Sequence, residues 1–584
     1  MIKRSRVAGA LVAAVLVALS STLVGALPGA PAGPGEAAAA DPGTPDVIVI
    51  MTDDQRVGTH RGMPYLWGNL RQQMVNYSNA QVPVNNCCPS RSTFLTGATS
   101  NETKVWDNTN AGSPGGWLRF HKSGFENRTL AVALNKRGYR TALLGKYLNQ
   151  FAAHNRVAAG ARPPGWDDFR TYLNSNGGYW APGTPVRNVA PGYTTDTLGD
   201  AAVDVIEQTP TDEPLFLLYT PYAPHEPFDA GPYKGSARDA GTLDDFRRGG
   251  EWTNPSIGGE NRRGKPAWNQ RLAGLNSDGE SPSPYPRVRH VSESQADTLM
   301  GVDANIRKIV EAQQGIRDWS NTLFVFMSDN GYGWGDHALF DKTTPYRLTN
   351  EVPLMIKYPD SLGVPGGTAD HRLVNNIDVT STIAVLSGAS LATSGIPTLW
   401  PQGRTGLSVQ SPQSKRGYPF WHPAYCGWRT KDHLYVRWSD GFEELYDYRT
   451  DPWEQRNLAG ASAYQALRTK MSIAAHRACD PLPPKYEPPL IAVKLNAARR
   501  GTLQARMAPA LRRTPVTVQL YRKGRWSTVG VCRLPRGTTS SQRRLTVPDS
   551  GMYRAKAQPA GAYRSTWSPS VPVRAKPKAT FRCA

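Results

Sequence analysis

"DVIVIMTDD", residues 46–54, is a continuous apolar run that stops at two aspartates. Two later stretches have the same form, "PLFLLYTPYAPH" at residues 214–225 and "NTLFVFMSDN" at residues 321–330. Short apolar runs that end in polar residues are typical of strands in a parallel sheet, because helices cover both faces of such a sheet. These stretches predict a mostly parallel central sheet.

Helical patterns lie between the predicted strands. "TLAVALNKRGY", residues 129–139, ends at a glycine, and residues 294–312 place four apolar side chains on one stripe: Leu299, Val302, Ile306 and Val310. Alternating strands and helices predict an α/β sandwich over residues 41–485. Ligands of such folds bind beyond the carboxyl ends of the strands. The polar residues that end each run are therefore the first candidates for chemistry.

Four of these polar residues are oxygen donors: Asp53 and Asp54 after the first run, and Asp329 and Asn330 after the third. Carboxylate and amide oxygens suit a hard divalent cation, Ca²⁺ or Mg²⁺, and they do not favour zinc. The alternative is that both pairs only turn the chain, since Asp and Asn are common in turns.

"VNNCCPSRSTFLTG", residues 84–97, places two adjacent cysteines before a short predicted helix. Pro89 fits the first position of that helix, so Cys87 is predicted just before its N-terminus, where N–H groups and the helix dipole favour anions. One interpretation is a reactive thiol of lowered pKa. Arg91, one turn later, would neutralise the same anion.

The N-terminus predicts export. Lys3, Arg4 and Arg6 precede a long apolar run, and small residues up to Ala40 offer cleavage points, which is the pattern of a signal peptide over residues 1–40. The alternative is a membrane anchor, since the run is nearly long enough to span a bilayer. We expect a cleaved signal and a secreted, extracytoplasmic protein without a membrane anchor.

Cysteines tend to pair in that compartment. Of the six cysteines, four fall into two separate neighbourhoods, and the simplest pairings are Cys426–Cys479 and Cys532–Cys583. Sequence alone leaves other connectivities open. Cys87 and Cys88 remain, and a disulfide between neighbours is strained, so at least one of them needs another explanation.

Charge separates a C-terminal region from the rest. Residues 491–584 contain 20 Lys and Arg against one acid, Asp549, a net charge of +19 within a chain total of +21. The proline-rich "CDPLPPKYEPPL" at residues 479–490 precedes short alternating runs, which predict a small β-sandwich or barrel. This region resembles the basic immunoglobulin-like tail modules of secreted bacterial enzymes, so an all-β, immunoglobulin-like domain is expected. Such a basic domain would attract polyanions such as sulfated glycans. The alternative is charge that serves only solubility.

"CCPSRSTFLTG", residues 87–97, resembles the signature of the formylglycine-dependent sulfatases, with C-x-P-S-R followed by Leu-Thr-Gly. The resemblance implies an alkaline-phosphatase-like fold in which a formylglycine-generating enzyme oxidises Cys87 to formylglycine. The hydrated aldehyde would be the nucleophile. Cys88 then occupies the variable position as a buried spectator, which explains the adjacent cysteines.

Other segments resemble the same family in the same order, from about Asp46 to Leu458. The resemblance implies a metal site made by Asp53, Asp54, Asp329, Asn330 and the modified Cys87. It also implies that the sulfate is contacted by Arg91, Lys146, His225 and Lys342. "FEELYDYRTDPWEQRNLAG", residues 442–460, is similar to the C-terminal subdomain of the family, about residues 410–485, which carries a small antiparallel sheet.

Two positions depart from the family pattern. Leu148 stands where many sulfatases have a histidine, and the "GKYLN" variant resembles the glucosamine-6-sulfatase and heparan endosulfatase branch, in which Asn149 would help instead. Gly333 stands where that branch has a second histidine, and His337 is the alternative. The general acid for the leaving group is therefore expected to be His225 or His337.

The expected activity is hydrolysis of sulfate monoesters, with a sulfated amino sugar or glycan favoured as the substrate and no specific nucleic acid partner. The Gly- and Pro-rich insertion at about residues 231–289 would recognise the leaving group. The alternatives are a broad arylsulfatase, a phosphodiesterase or phosphonate hydrolase of the same superfamily, and an inactive polyanion-binding protein.

Overall fold

The structure is a computed structural model. It describes residues 43–109, 115–151, 162–172, 179–180, 192–259, 262–272, 286–391, 404–412, 422–479, 492–497, 502–508, 515–522, 525–533, 541–557, 568, 570–573 and 580–583. The expected signal peptide, residues 1–40, and most of the proline-rich segment, residues 480–490, lie outside the described residues.

The strands of the first 375 residues form one large and two small sheets. They are β1 (Asp46–Thr52), β2 (Val75–Tyr77), β3 (Ala80–Gln81), β4 (Arg140–Gly145), β5 (Asp168–Tyr172), β6 (Tyr179–Trp180), β7 (Leu215–Thr220), β8 (Thr322–Ser328), β9 (Gly333–Asp336), β10 (Leu339–Asp341), β11 (Leu354–Lys357), β12 (Thr368–Asp370) and β13 (Val374–Asn375). Within the described residues, the large sheet has nine strands in the order β12-β2-β11-β8-β1-β7-β4-β5-β6.

The middle of this sheet is parallel, which confirms the mostly parallel central sheet. β1 pairs in parallel with both β7 and β8, although long stretches of chain separate the three. β4 continues the parallel order beyond β7, whereas β11 runs antiparallel to β8. The register pairs Thr52 with Ser328. The polar residues that follow β1 and β8 are therefore brought together at one edge.

The α-helices in the described part of the chain are Cys87–Thr96, Ser100–Thr103, Gly116–Lys122, Leu130–Asn135, Thr194–Gln208, Ser236–Asp239, Leu243–Gly249, Ala267–Gln270, Pro286–Ile316, Arg347–Asn350, Asn376–Leu386 and Gln465–Ala478. In that same part, none of the helices combines the length and the apolar character needed to cross a lipid bilayer.

Helices cover both faces of the large sheet. Val47 and Val49 of β1 pack with the helices Cys87–Thr96, Leu130–Asn135 and Asn376–Leu386 in one buried cluster. Ile48 and Ile50 point the other way and pack with the helices Thr194–Gln208 and Pro286–Ile316. The four-residue stripe predicted around Leu299 is fully buried in this second cluster. The α/β sandwich is confirmed, and burial on both faces explains why β1 is continuously apolar.

A smaller antiparallel sheet follows, with the order β14 (Leu407–Ser411), β15 (Tyr425–Arg429), β16 (His433–Trp438) and β17 (Glu443–Asp447). The helix Gln465–Ala478 packs on it. A disulfide joins Cys426 to Cys479, as the sequence predicted. The expected C-terminal antiparallel sheet is therefore present and begins a few residues before residue 410.

The basic C-terminal region is all-β in its described residues. One antiparallel sheet has the order β18-β19-β22-β25 and the other β21-β20-β23-β24. Their strands are β18 (Ala492–Ala497), β19 (Thr502–Ala508), β20 (Pro515–Arg522), β21 (Arg525–Arg533), β22 (Ser541–Thr546), β23 (Gly551–Ala557), β24 (Val571–Val573) and β25 (Arg582–Cys583). Leu503, Val518 and Tyr553 belong to a shared buried cluster. Cys532 is disulfide-bonded, and the side chain of its expected partner, Cys583, lies outside the described residues.

Candidate functional site

The oxygen donors predicted at the strand ends are together and fully buried. Asp53 and Asp54 follow β1, and Asp329 and Asn330 follow β8. The backbone N–H of Asp54 donates to Asp329 Oδ1 across 3.2 Å, and Asn330 Nδ2 donates to Asp54 Oδ1 across 2.6 Å. The parallel pairing of β1 and β8 is the reason that residues 275 positions apart meet here.

Cys87 is the first residue of the helix Cys87–Thr96 and faces the same carboxylates. Asn86 caps the helix, since its side-chain oxygen accepts from the Cys87 N–H across 3.1 Å. The predicted start at Pro89 is therefore two residues late, whereas the predicted end at Gly97 is confirmed by its left-handed φ of 68°. Cys87 Sγ donates to Asp53 Oδ1 across 3.5 Å. Both Cys87 and Cys88 are buried free thiols.

Three buried cations surround Cys87. Lys146, just after β4, pairs with Asp53, and Lys342, just after β10, pairs with Asp54. Lys342 Nζ also donates to Cys87 Sγ across 3.0 Å. Arg91, one turn into the helix, donates from Nε to Asp329 Oδ2 across 2.7 Å and from Nη1 to the Lys146 carbonyl across 2.7 Å.

The opposite charges of this centre stabilise each other's ionised forms. Burial alone would raise the pKa of Asp53, but the charges of Lys146, His225 and Arg91 together hold it below its usual value. Burial alone would lower the pKa of Lys342, but Asp54 and Cys87 raise it well above its usual value. Three carboxylates and three cations therefore balance in a region without solvent, where an unpaired charge would be costly.

The thiol of Cys87 is not acidic in this setting. Burial, together with the negative charge of Asp53, raises its pKa to about 12, although Lys146 and Lys342 act in the opposite direction. The interpretation of Cys87 as a thiol of lowered pKa is therefore wrong. Its place at a helix N-terminus is confirmed, but full burial outweighs the favourable dipole.

His225 lies in the loop after β7, beside the carboxylates. Its Nε2 is 3.5 Å from Asp54 Oδ2, and its Nδ1 lies 2.6 Å from the carbonyl oxygen of Glu226, which orients the ring. Burial lowers its pKa more than the neighbouring carboxylates raise it, so the imidazole is held neutral. Nε2 is therefore the ring nitrogen that faces the carboxylates.

The donor set fits a hard cation. One ligand atom from each of Asp53, Asp54, Cys87 and His225 lies within 4.8 Å of the others. Asn330 Oδ1 is buried and has no hydrogen-bond partner within the described residues. Carboxylate oxygens clustered with an unpartnered amide oxygen are the ligands that Ca²⁺ and Mg²⁺ take in proteins.

His337 is placed differently from the other predicted residues. Its ring is 4.6 Å from the ring of Tyr346, and its Nε2 is 3.9 Å from Glu454 Oε2. None of its described contacts reaches Cys87, Asp53 or Asp54. Its left-handed backbone, with φ of 53°, turns the chain before Lys342. The structure therefore brings together all of the predicted site residues except His337.

One neighbour of the site, Tyr222, did not stand out in the sequence. Tyr222 lies with its ring centre 5.0 Å from Lys146 Nζ and 4.6 Å from the ring of His225. Its only sequence signal is its place three residues before His225. Leu148, at the departing position, is part of the apolar core. Asn149 Oδ1 is buried without a hydrogen-bond partner in the described part of the chain.

The chain is similar in sequence to sulfatases of known name. It is 27% identical to an N-acetylglucosamine-6-sulfatase of Capra hircus over 59% of this chain and 61% of that protein. It is 24% identical to an N-acetylglucosamine-6-O-sulfatase of Bacteroides thetaiotaomicron over 72% of this chain and 83% of that protein. The chain thus spans about three fifths of the length of the mammalian relative.

Solved structures share the fold. One is BT4656 in complex with its substrate, D-glucosamine-2-N,6-O-disulfate, with a TM-score of 0.56, 20% identity, and coverage of 75% of this chain and 98% of that chain. Another is a phosphonate monoester hydrolase of Agrobacterium radiobacter, with a TM-score of 0.54, 19% identity, and coverage of 75% and 96%. At these identities the likeness supports the fold alone, and the fold is that of alkaline-phosphatase-like enzymes.

Family models describe most of the chain before the basic region. The model named N-sulphoglucosamine sulphohydrolase, C-terminal, matches residues 335–478. The model named Sulfatase matches residues 45–389, which is more than half of the chain and includes every residue of the buried centre. The chain therefore belongs to the sulfatase family.

Proposed function

We propose that the chain is a secreted, formylglycine-dependent sulfatase that hydrolyses sulfate monoesters of sulfated amino sugars or glycans. The observation that carries this proposal is the convergence of Lys146, Lys342 and Arg91 with three carboxylates around residue 87. A buried centre of this composition suits an anionic ester whose charge must be neutralised before a nucleophile can approach.

Asp53, Asp54, Asp329 and Asn330, together with residue 87, would hold a divalent cation, Ca²⁺ or Mg²⁺. When bound, it supplies positive charge to the sulfate oxygens and favours the deprotonated nucleophile. Because the buried carboxylates and cations already balance, a divalent cation gives the centre a net charge of about +2. An anionic sulfate ester is then attracted to the site.

Residue 87 would be the nucleophile only after modification. An unmodified thiol with a pKa of about 12 is protonated at neutral pH and would leave a thiosulfate ester without a simple exit. In formylglycine, the hydrated aldehyde would supply two hydroxyls, one to serve as the nucleophile toward sulfur and a second whose deprotonation would allow sulfate to leave and the aldehyde to re-form. A formylglycine-generating enzyme would act on the chain before it folds, since Cys87 is buried.

Other side chains of the centre would bind the sulfate group and donate the proton to the leaving group. Lys146, Lys342 and Arg91 hold the sulfate oxygens and stabilise the charge that shifts in the transition state. His225 is the better-placed general acid, because its Nε2 faces the centre while Nδ1 is held by the Glu226 carbonyl. The negative charge of a bound ester raises the pKa of His225, so that it can protonate the leaving alkoxide.

The choice of substrate rests on relatives and on an insertion. The named activities of the goat and Bacteroides relatives and the glucosamine disulfate bound to BT4656 favour a 6-sulfated glucosamine unit. The insertion at residues 231–289 would recognise the sugar, because its described segment around Gly250 and Ser256 packs against the strand β9 that precedes Lys342.

The remaining regions complete the proposal. Residues 1–40 would direct export and be removed, residues 41–485 would form the catalytic domain, and residues 491–584 would form a separate immunoglobulin-like domain that binds polyanions. The clustered Lys and Arg of that region support the last assignment.

A phosphonate or phosphodiester hydrolase is the main alternative, because the Agrobacterium phosphonate monoester hydrolase has the same fold. Specificity constants for N-acetylglucosamine-6-sulfate, an aryl sulfate, an aryl phosphonate monoester and an aryl phosphodiester separate the activities. We expect the sugar sulfate to rank first and Cys87→Ala, but not Cys88→Ala, to abolish turnover. Preference for a phosphorus ester would refute the assignment, and no turnover of any ester by metal-loaded protein would favour an inactive polyanion-binding protein.

A further inference from the structure

A continuous groove runs across the surface between the main domain and the small antiparallel sheet. Its larger lobe has a volume of about 500 Å³ and its smaller lobe about 190 Å³, and both are lined by Ser78, Glu251, Arg347 and Glu351. The larger lobe alone falls in the size range of ligand sites. None of the residues proposed for catalysis lines either lobe.

The groove has more cationic than acidic lining residues, although several of the cations are ion-paired, Arg248 with Asp245 and Arg449 with Asp447 among them. Six of its lining residues are cationic: Arg61, Arg248, Arg347, Arg429, Lys431 and Arg449. Three are acidic: Glu251, Glu351 and Asp432. Its walls come from segments far apart in the chain, among them the turn after β1, the edge around β2, the insertion near Gly249, the helix Arg347–Asn350, the turn between β15 and β16, and the loop after β17. The charge is therefore assembled by the fold, whereas a charged run in the sequence would be local.

The charges divide the groove into two positive ends and a neutral middle. Arg347, at the junction, is paired with Glu251 and lies 3.4 Å from Glu351, so its charge is compensated. Arg61 in the smaller lobe and Lys431 in the larger lobe are exposed. Neither has an ion-pair partner among the described residues. Arg61 and Lys431 are therefore two uncompensated cations, one in each lobe of the groove.

The smaller lobe also contains a buried histidine with free bonding capacity. His60 is 3% exposed and lines this lobe, and neither of its ring nitrogens has a hydrogen-bond partner in the described part of the chain. Burial lowers its pKa to about 3, so the ring is neutral. A neutral imidazole offers one donor and one acceptor, which suits a hydroxyl or amide group of a ligand.

We propose that this groove binds a segment of a sulfated glycan chain, with anionic groups at Arg61 and Lys431 and sugar hydroxyls between them. A polymer with regularly spaced anions and uncharged hydroxyls matches the alternation of charged and neutral positions along the groove. The choice of a sulfated glycan as the polyanion rests on the proposed function. The binding itself does not, because it needs no residue of the catalytic centre.

The groove is joined to the catalytic centre by short connections. Val57 and Gly58, on the smaller lobe, follow Asp54 within four residues, and Arg347 follows Lys342 by five. Between the two sites, Arg56 pairs with Asp336 and donates to the carbonyl oxygens of Gly250 and Tyr332. The groove would therefore hold a glycan chain close to the centre that removes its sulfate.

The test is direct binding of a heparin hexasaccharide from which the 6-O-sulfates have been removed, measured by calorimetry on the full chain and fitted with one site for the basic region, residues 491–584, and a second site for the groove. This probe keeps anionic groups but lacks the ester of the proposed reaction, so binding is measured even if the proposed activity is wrong. The variant Arg61→Ala/Lys431→Ala should weaken the groove site about tenfold and leave the site in the basic region unchanged, since two exposed charge pairs are lost. The loss should shrink at about 1 M salt, where screening acts over about 3 Å.

The matched control is Arg271→Ala/Lys470→Ala, which removes one exposed arginine and one exposed lysine outside the groove. It should bind as the wild type does. Equal weakening in both variants, or no weakening in the groove variant, would overturn the proposal. The long-range electrostatic attraction of the whole positively charged chain would then account for the binding. Tighter binding of single-stranded DNA of matched charge would overturn the choice of a glycan. If the double variant unfolds, Lys431→Glu alone is judged by the same criteria.

Discussion

Lys342 Nζ donates to the sulfur of Cys87 across 3.0 Å and pairs at the same time with Asp54. One ammonium therefore links the residue proposed as nucleophile to a residue proposed as metal ligand. Lys342 lies between Asp341 and Thr343, which both have left-handed backbones, with φ of 78° and 73°. Strain of this kind is retained where a side chain must be held in one place.

Removing this ammonium should reduce catalysis more than it reduces folding. We expect Lys342→Met to lower kcat by about 10²–10³, the usual cost of losing one group that stabilises transition-state charge. Lys308→Met, which removes an exposed lysine paired with Asp200, is the control and should behave as the wild type. Steady-state kinetics on a sugar sulfate, with circular dichroism to verify folding, measure both. An unchanged kcat in Lys342→Met would contradict the proposed role.

A divalent cation should bind at the strand ends and stabilise the folded chain. Thermal melting of chelated protein should shift upward when Ca²⁺ or Mg²⁺ is restored, because a ligand that binds only the folded state stabilises it by mass action. Asp54→Asn should lose most of this shift. It should also lose most of the bound metal, as measured by elemental mass spectrometry.

The control for the metal experiment is Asp360→Asn, since Asp360 is an exposed carboxylate that pairs with Lys357 and makes none of the described contacts of the centre. It should keep the metal-dependent shift. Full activity of metal-free protein after exhaustive chelation would show that the predicted ligands serve only to balance the charges of Lys146 and Lys342.

His60 should make stability sensitive to acid. Its pKa is lowered from 6.5 to about 3 by burial, so below pH 6.5 the unfolded chain takes up a proton that the folded chain refuses. The contribution of His60 to stability is therefore complete above pH 6.5 and is lost as the pH falls toward about 3. His60→Phe should show a shallower fall of melting temperature over this window.

His476→Gln, at an exposed histidine, is the control for that experiment and should follow the wild-type curve. If the melting temperatures of the wild type and of His60→Phe fell in parallel below pH 6.5, His60 would be protonated in the folded state, for example because a ligand in the groove stabilises its charged form.

The sequence was sufficient for the parts that depend on local patterns. Continuous apolar runs indicated the buried strands, and the residues that end them are those that meet at the sheet edge. Asp53 and Asp329 could be grouped only on the condition that β1 and β8 are neighbours, which the sequence left open and the structure shows. The C-x-P-S-R register identified Cys87 because only that cysteine stands four residues before the arginine.

Other features depend on contacts that no local pattern encodes. Whether Cys87 is acidic is decided by full burial, which exceeds the effect of the helix N-terminus. His337 and His225 each lie in a loop, and the sequence does not show which of them belongs to the centre. The structure distinguishes them, because His337 packs against Tyr346 and Glu454. The groove with Arg61 and Lys431 is lined by segments far apart in the chain, so the sequence alone does not predict it.

The basic region should be separable from catalysis. A chain that ends after Pro488 should turn over a small soluble sulfate ester at nearly the full rate, because no proposed catalytic residue lies beyond that point. Its affinity for a polyanionic glycan should fall, and the lost part should be the salt-dependent part. A parallel fall in thermal stability and in turnover of small and large substrates would instead indicate that this region supports the fold of the catalytic domain.

The most direct test of the account is mass spectrometry of the tryptic peptide of residues 72–91, taken from enzyme that releases sulfate from a sugar sulfate. The account predicts that residue 87 has lost its sulfur and carries an aldehyde oxygen, while Cys88 remains a thiol. A preparation that is fully active with both thiols intact would contradict the central claim that the modified Cys87 is the nucleophile.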